Sequence, residues 1–455
     1  MRHLFGVGLS CLVLLAGARS LLAQMPADPR FKTDVLLIVA HPDDESAVSS
    51  YLAQILYDQG KRVSVIYGTR GDGGGNTVGP EQAASLGAVR EIEGRTALAT
   101  LGIDHVWFLD GRDTPSQDVV QSLETWHHGS ALEQTVRLVR LTRPEVIITW
   151  LPDFVIGENH GDHQAAGVIA TEAFDLAGNP AAFPSQIAPA RNRTGIGNLT
   201  EGLRPWQPKK LYYFTDRSEV GSLRARGPAY PSTAVSPSRK VPYYQFTATL
   251  LAKHSTQGSE ARTAEKAVAT GDYQAFLAAQ VDFQGTTDTQ LLLGKSLVGG
   301  TATGDVFEGV NGAAIGFRPS LQAEANATGR PSIALGSPWR FYRAFWKAHD
   351  LRHLEGFFPP ELGITPGATI KLPLVVENGP TPATFTFRVK APAGWVTLLP
   401  APVAAGPGEV VDLVLNVTAP SAAGSGGELE VNLIVGGSVV ATLRLTVRAL
   451  GTMPY

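Results

Sequence analysis

Residues 34–45 read DVLLIVAHPDDE, and this stretch decides both the fold and the place of the chemistry. Asp34–Ala40 is a short unbroken apolar run, the pattern of a central parallel strand covered on both faces. His41-Pro42-Asp43-Asp44-Glu45 follows with no spacer. Downstream, residues 45–59 suit a helix, Arg62–Thr69 a second strand, and Glu81–Leu101 a helix stopped at Gly102. His105–Asp110 reads as a third strand, Ser130–Thr142 as a helix and Glu145–Trp150 as a fourth strand. A helix from about Asp162 to Leu176 and a further strand at Lys209–Thr215 complete the set. Repeated β-α units of this length predict an α/β fold, a Rossmann-like open parallel sheet with right-handed crossovers.

The pattern changes beyond this unit. Residues 178–208 and 217–240 are rich in Pro, Gly, Arg and Ser and read as loops, 243–279 has helical character, and 285–355 carries no assignable period. From about residue 359, apolar residues alternate at Ile370, Leu372, Leu374 and Val376, again at Val411–Val417, and again at Val439–Val447. Short period-2 strands between Pro/Gly turns predict an all-β sandwich. The expected organisation is a leader over 1–23, an α/β domain over 31–240, a mixed region over 241–355 and the sandwich over 356–450.

A chain of 455 residues is long enough for two or three domains. Charged residues make up 17% and the formal net charge is −3, which offers nothing to nucleic acid or an anionic membrane. Met1-Arg2-His3, an apolar run to about Ala16 and small residues up to Ala23 describe a signal peptide, so export to the periplasm or outside the cell is expected. No other apolar run is long enough to span a bilayer. Cys11, the only cysteine, lies within the leader, so the mature chain has no thiol for a disulfide, a Cys-zinc site or a cysteine nucleophile.

In an open parallel sheet, ligands bind beyond the carboxyl ends of the strands. The first strand delivers His41, Asp43, Asp44 and Glu45 to that rim, and the fourth is followed by His160-Gly161-Asp162-His163. Burying such groups is costly without a partner, and a cation is an economical one. Catalytic zinc takes three N/O ligands and keeps one position open. His41, Asp44 and His163 are the candidate ligands of one Zn2+ per chain. Asp43 is then free to take a proton from an activated water. His160 is placed to assist the oxyanion or the leaving amine, and Asp162 to orient an imidazole.

The segment Ala40–Glu45 together with His160–His163 resembles the LmbE/PIG-L deacetylases, over roughly residues 31–240. The resemblance implies a zinc N-deacetylase for an N-acetylglucosamine-bearing substrate, with ligands at His41, Asp44 and His163, the general base at Asp43 and oxyanion assistance from His160. It further implies sugar contacts at Arg90 and Asp113. Glycine fills the second place of the H-x-D-H motif, a variable position. The C-terminal strands resemble the β-sandwich modules appended to carbohydrate-active and other secreted enzymes. Two other readings share these residues: an amidase for a non-sugar N-acyl compound, and a non-catalytic secreted glycan-binding protein. A nucleotide site fails, because acid and imidazole stand where phosphate binding needs glycine and backbone N–H.

Other polar and aromatic groups read as structural. Gly71–Gly75 is expected to form a turn lining the substrate mouth, His127-His128 an exposed loop pair, and His254 a surface helix residue. Trp339, Phe341, Tyr342, Phe345 and Trp346 are expected to pack in a core or between domains.

Overall fold

The computed structural model describes residues 27–154, 160–187, 203–215, 223, 226–284, 286–319, 329–337, 339–355 and 360–450. The leader expected over 1–23 lies outside the described residues. No described helix is long and apolar enough to cross a membrane.

Five strands lie where the apolar runs place them: β1 (Val35–Val39), β2 (Val63–Tyr67), β3 (Val106–Phe108), β4 (Val146–Trp150) and β5 (Lys210–Phe214). All are parallel, and every residue of β1, β2, β4 and β5 is buried. Their helices are α1 (Ser49–Gln59), α2 (Ala83–Ala99), α3 (Val119–Thr125), α4 (His128–Thr142) and α5 (Gly161–Leu176). The helix expected from residue 45 begins instead as a 3-10 turn, Asp44–Val48, whose buried carboxylates serve the site.

Downstream come a two-residue β6 (Ala229–Tyr230), then α6 (Tyr244–Leu251), α7 (Ser259–Thr270) and α8 (Gln274–Gln284). A short β7 (Thr289–Gln290) pairs with β6. It is followed by β8 (Leu292–Ser296), β9 (Ser332–Leu335) and α9 (Trp339–Ala348). The main sheet has the order β3-β2-β1-β4-β5-β8, and β8 is antiparallel. The sheet is therefore mixed at one edge, a common end for an otherwise parallel sheet. Because β1 lies between β2 and β4, the strand order reverses at β1 and opens a crevice beyond its carboxyl end.

The sandwich contains β10 (Glu361–Ile364), β11 (Thr369–Glu377), β12 (Ala383–Lys390), β13 (Val396–Leu398), β14 (Val403–Ala405), β15 (Val410–Thr418), β16 (Gly426–Val435) and β17 (Ser438–Ala449). Two sheets, β10-β17-β16-β12-β14 and β13-β15-β11-β9, enclose a core that includes Leu372, Leu374, Phe385, Leu415, Val431 and Val447. Gly436 and Gly437, both at positive φ, turn β16 into β17. The edge strand β9 comes from upstream of residue 356 and pairs with β11 from Leu335↔Leu374 to Ser332↔Glu377.

Between β9 and β10, α9 packs against the α/β unit. Tyr342 bonds the Gln164 side chain of α5, and Trp346 Nε1 donates to Pro152 O at 3.1 Å. Tyr342, Phe345 and Trp346 join the core of the α/β unit while Trp339 packs against the sandwich core. This helix thereby ties the sandwich to the segment that carries the second histidine motif.

Candidate functional site

The carboxyl end of β1 folds back on its own side chain. Asp44 Oδ2 accepts from Ala40 N at 2.8 Å, His41 N at 3.0 Å and Trp150 Nε1 at 2.8 Å. Three donors to one oxygen fix the carboxylate plane and leave Oδ1 facing inward. Oδ1 stands 3.1 Å from His163 Nε2 and 3.5 Å from His41 Nδ1. Burial opposes ionisation of Asp44, but His163 and His41 outweigh it and hold the carboxyl well below its usual range. The Trp150 ring stacks on His163 at 3.9 Å and 4° between planes, which locks the imidazole in place.

The other nitrogen of His41 is held from behind. Nε2 lies 3.4 Å from Asp162 Oδ2 and 3.8 Å from Asp113 Oδ1. Asp162 Oδ2 also accepts Thr114 N at 2.7 Å. Asp162 thus orients the His41 imidazole from the side away from Asp44. Burial lowers the basicity of His41, yet Asp113 and Asp44 carry it well above the ordinary range. His160 caps α5, accepting Asp162 N on Nδ1 at 3.4 Å, and its ring is 4.3 Å from that of His163. Burial, then the neighbouring His163 and His41, push His160 down to about 2, so its ring is neutral.

These groups suit a divalent cation. Ligand atoms of His41, His160 and His163 lie within 4.8 Å of one another, as do those of His41, Asp113 and Asp162. In a tetrahedron with N/O bonds of about 2.1 Å, neighbouring ligand atoms stand about 3.4 Å apart. The Asp44 separations to both imidazoles, 3.1 and 3.5 Å, straddle that spacing. Asp162 Oδ1 is buried with no hydrogen-bond partner, an arrangement that nearby positive charge relieves.

Asp43 takes no part in these contacts. Its φ of 115° is strained for a residue with a Cβ, at a cost of about 1–3 kcal/mol. Glu45 Oε2 holds its amide at 2.9 Å, and Ser46 N bonds its carbonyl at 2.8 Å. Burial and the adjacent Asp44 charge push the Asp43 carboxyl up to about 8.

Arg90 and Asp113 stand at the rim and brace the glycine loop. Arg90 donates to Gly71 O at 2.8 Å, Gly75 O at 2.9 Å and Thr256 Oγ1 at 3.3 Å. Asp113 accepts from Thr69 Oγ1 and from Gly73 N. A Cβ at Gly74 would come within 2.5 Å of Arg90 Nη1, so the loop closes this tightly only with glycine there.

Three features escaped the sequence reading. Trp150 looked like the end of a strand, yet it both anchors Asp44 and stacks on His163. His254, expected on the surface, is fully buried with Nε2 2.7 Å from Glu45 Oε1; a lone polar residue after a helix gives no local sign of a partner 209 positions away. The third is Gly161. A Cβ there would lie 2.6 Å from Ser122 Oγ and 2.9 Å from Ser116 O, so the second place of the motif has no room for a side chain. Gly161→Ala is expected to displace the 114–118 loop that supports Asp162 and to weaken metal binding by about 10- to 100-fold, read by titration with a competing chelator. Unchanged affinity would show that the loop yields freely. His128 pairs with Glu172 at 2.5 Å and lies half-buried on α4, away from these groups.

A family model, PIG-L: GlcNAc-PI de-N-acetylase, matches residues 36–174. The chain is similar to a 1D-myo-inositol 2-acetamido-2-deoxy-alpha-D-glucopyranoside deacetylase of Mycobacteroides abscessus, 30% identical over 39% of this chain and 68% of the relative. It is 31% identical to deacetylase 1 of the same name from Catenulispora acidiphila, over 36% of this chain and 54% of that protein. Among solved structures it is similar to N,N'-diacetylchitobiose deacetylase from Pyrococcus horikoshii, with TM-score 0.38, 17% identity and coverage of 57% and 83% of the two chains. The chain spans between 54% and 58% of the length of the first three curated relatives. Residues 36–174 hold both histidine motifs and the strands that bring them together, and on this match and the Mycobacteroides relative the chain belongs to the PIG-L family.

Proposed function

We propose that this protein is an exported, zinc-dependent N-deacetylase that hydrolyses the acetamide of an N-acetylglucosamine-containing glycan or glycoconjugate. The observation that carries the reading is Asp44 Oδ1 between two imidazole nitrogens, with the unligated Asp43 beside it. His41, Asp44 and His163 would hold the metal. Zinc in such a site lowers the pKa of its water to about 7 and polarises a carbonyl.

The chain's own residues do the rest. The charge of a bound dication would bring the raised Asp43 carboxyl back to its ionised form, and Asp43 then takes the proton of the attacking water and returns it to the leaving amine nitrogen. His160, neutral and stacked on His163, donates a hydrogen bond to the oxyanion as the carbonyl becomes tetrahedral. Asp162 keeps the His41 lone pair aimed away from itself. Arg90 and Asp113 shape the mouth by closing the glycine loop, where a sugar would enter. The names of the relatives, deacetylases of a glucosamine-type sugar, support the choice of substrate class.

The test is an acetate-release screen on N-acetylglucosamine, chitobiose, N-acetylglucosaminyl lipid and peptidoglycan fragments, with zinc measured on the same protein. Acetate from at least one, dependent on metal, is expected. A chain carrying one zinc and inert toward all four would defeat the sugar assignment. Export is checked by the N-terminus of the mature protein, expected to begin after Ala18 or Ala23.

A further inference from the structure

The loop after α6 reaches the acid motif from 209 positions away in sequence. His254 and Glu45 are both fully buried, and Glu45 Oε1 accepts from His254 Nε2 at 2.7 Å. The second oxygen of the same carboxylate accepts the Asp43 amide at 2.9 Å. Three residues beyond His254, Gln257 Nε2 donates to Pro42 O at 2.8 Å. Between them, Thr256 bonds both oxygens of Glu93 on α2, from its amide at 2.9 Å and its hydroxyl at 2.6 Å. The segment 254–257 is thus anchored to α2 and grips the chain on both sides of the Pro42–Asp43 peptide.

That peptide needs gripping. Asp43 sits at φ 115°, a conformation that persists only where its surroundings over-determine it. Asp44 has its own restraints, the three donors on Oδ2, and none of them comes from residues 254–257. Loosening the clamp therefore frees Asp43 to relax toward ordinary backbone angles while the neighbouring ligand stays anchored. The two aspartates answer to different parts of the protein.

We infer that His254 and Gln257 are positioning residues, acting through Glu45 and the Pro42 carbonyl to hold Asp43 in its strained, proton-accepting pose. This rests on the reading of Asp43 as general base. The family match ends at residue 174, so the clamp is supplied by a part of the chain outside it.

The experiment uses the full chain loaded with zinc and compares His254→Leu, His254→Gln, Gln257→Leu and Asp43→Ala for kcat, KM and zinc per chain. Misplacing a catalytic group by an ångström costs about 100-fold, so His254→Leu is expected to lower kcat by about 10- to 100-fold with KM and zinc unchanged. His254→Gln, whose amide nitrogen substitutes for Nε2, is expected to recover most of that loss. Should the leucine variant fail to fold, Gln257→Leu is expected to show the same kcat-only defect. The inference is overturned if folded His254→Leu turns over at the parent rate, if kcat falls only in step with zinc, or if His254→Gln rescues nothing. Full activity in Asp43→Ala would instead strike the general-base reading itself, whatever the clamp variants do.

Discussion

Asp43→Ala is expected to lower acetate release by about 100- to 10,000-fold, the usual contribution of a positioned general base, while zinc stays near one per chain. The separation of the two effects follows from the geometry. Asp43 takes no part in the contacts that gather the imidazoles, whereas Asp44 Oδ1 stands 3.1 and 3.5 Å from the two of them. Removing the Asp43 carboxylate takes away a proton acceptor and leaves the metal donors intact. The variant should therefore keep its zinc. Parent-like turnover in Asp43→Ala would rule out this carboxylate as the base, and loss of zinc would make it a ligand.

His163→Ala is expected to lose metal and activity together. His163 Nε2 is the nitrogen nearest Asp44 Oδ1, and Trp150 stacks on its ring at 3.9 Å. Truncation removes a donor and opens a void beneath the indole. Zinc at a hundredfold excess over its Kd should stabilise the folded parent by about 2.7 kcal/mol, seen as a rise in Tm. The same zinc concentration should leave the Tm of His163→Ala almost unmoved. A variant that keeps one zinc and a normal zinc-dependent Tm would show that His163 is not a ligand, leaving His41, His160 and Asp44 to hold the ion.

Much of the arrangement was open to reading along the chain. β1 and β4 are unbroken apolar runs, and a run of that kind has little choice but a doubly covered strand. β1 runs straight into a polar cluster and the loop after β4 carries another, so the rule that ligands sit at carboxyl strand ends places His41, Asp44 and His163 on one rim. Three sandwich strands, β11, β15 and β17, were equally plain, because their apolar residues alternate with period 2, whereas β10, β13 and β14 are only three or four residues long. By contrast, β8 reads Leu-Leu-Gly-Lys-Ser and β9 is four residues long. Neither is long or regular enough to declare a strand, and both are made strands by neighbours that offer a free edge.

The strands and a candidate ligand set were therefore legible in local period and in the polar residues that follow the strands. Tertiary packing alone decided that Trp150 anchors Asp44, that Gly161 has no room for a side chain, and that His254 lies buried against Glu45. The physical reason is range. Periodicity records whether a residue goes inside, and it is set by neighbours a turn or a strand away. A contact spanning 209 positions leaves no trace in local pattern, since the energy that selects it exists only once both segments are folded against the same helix.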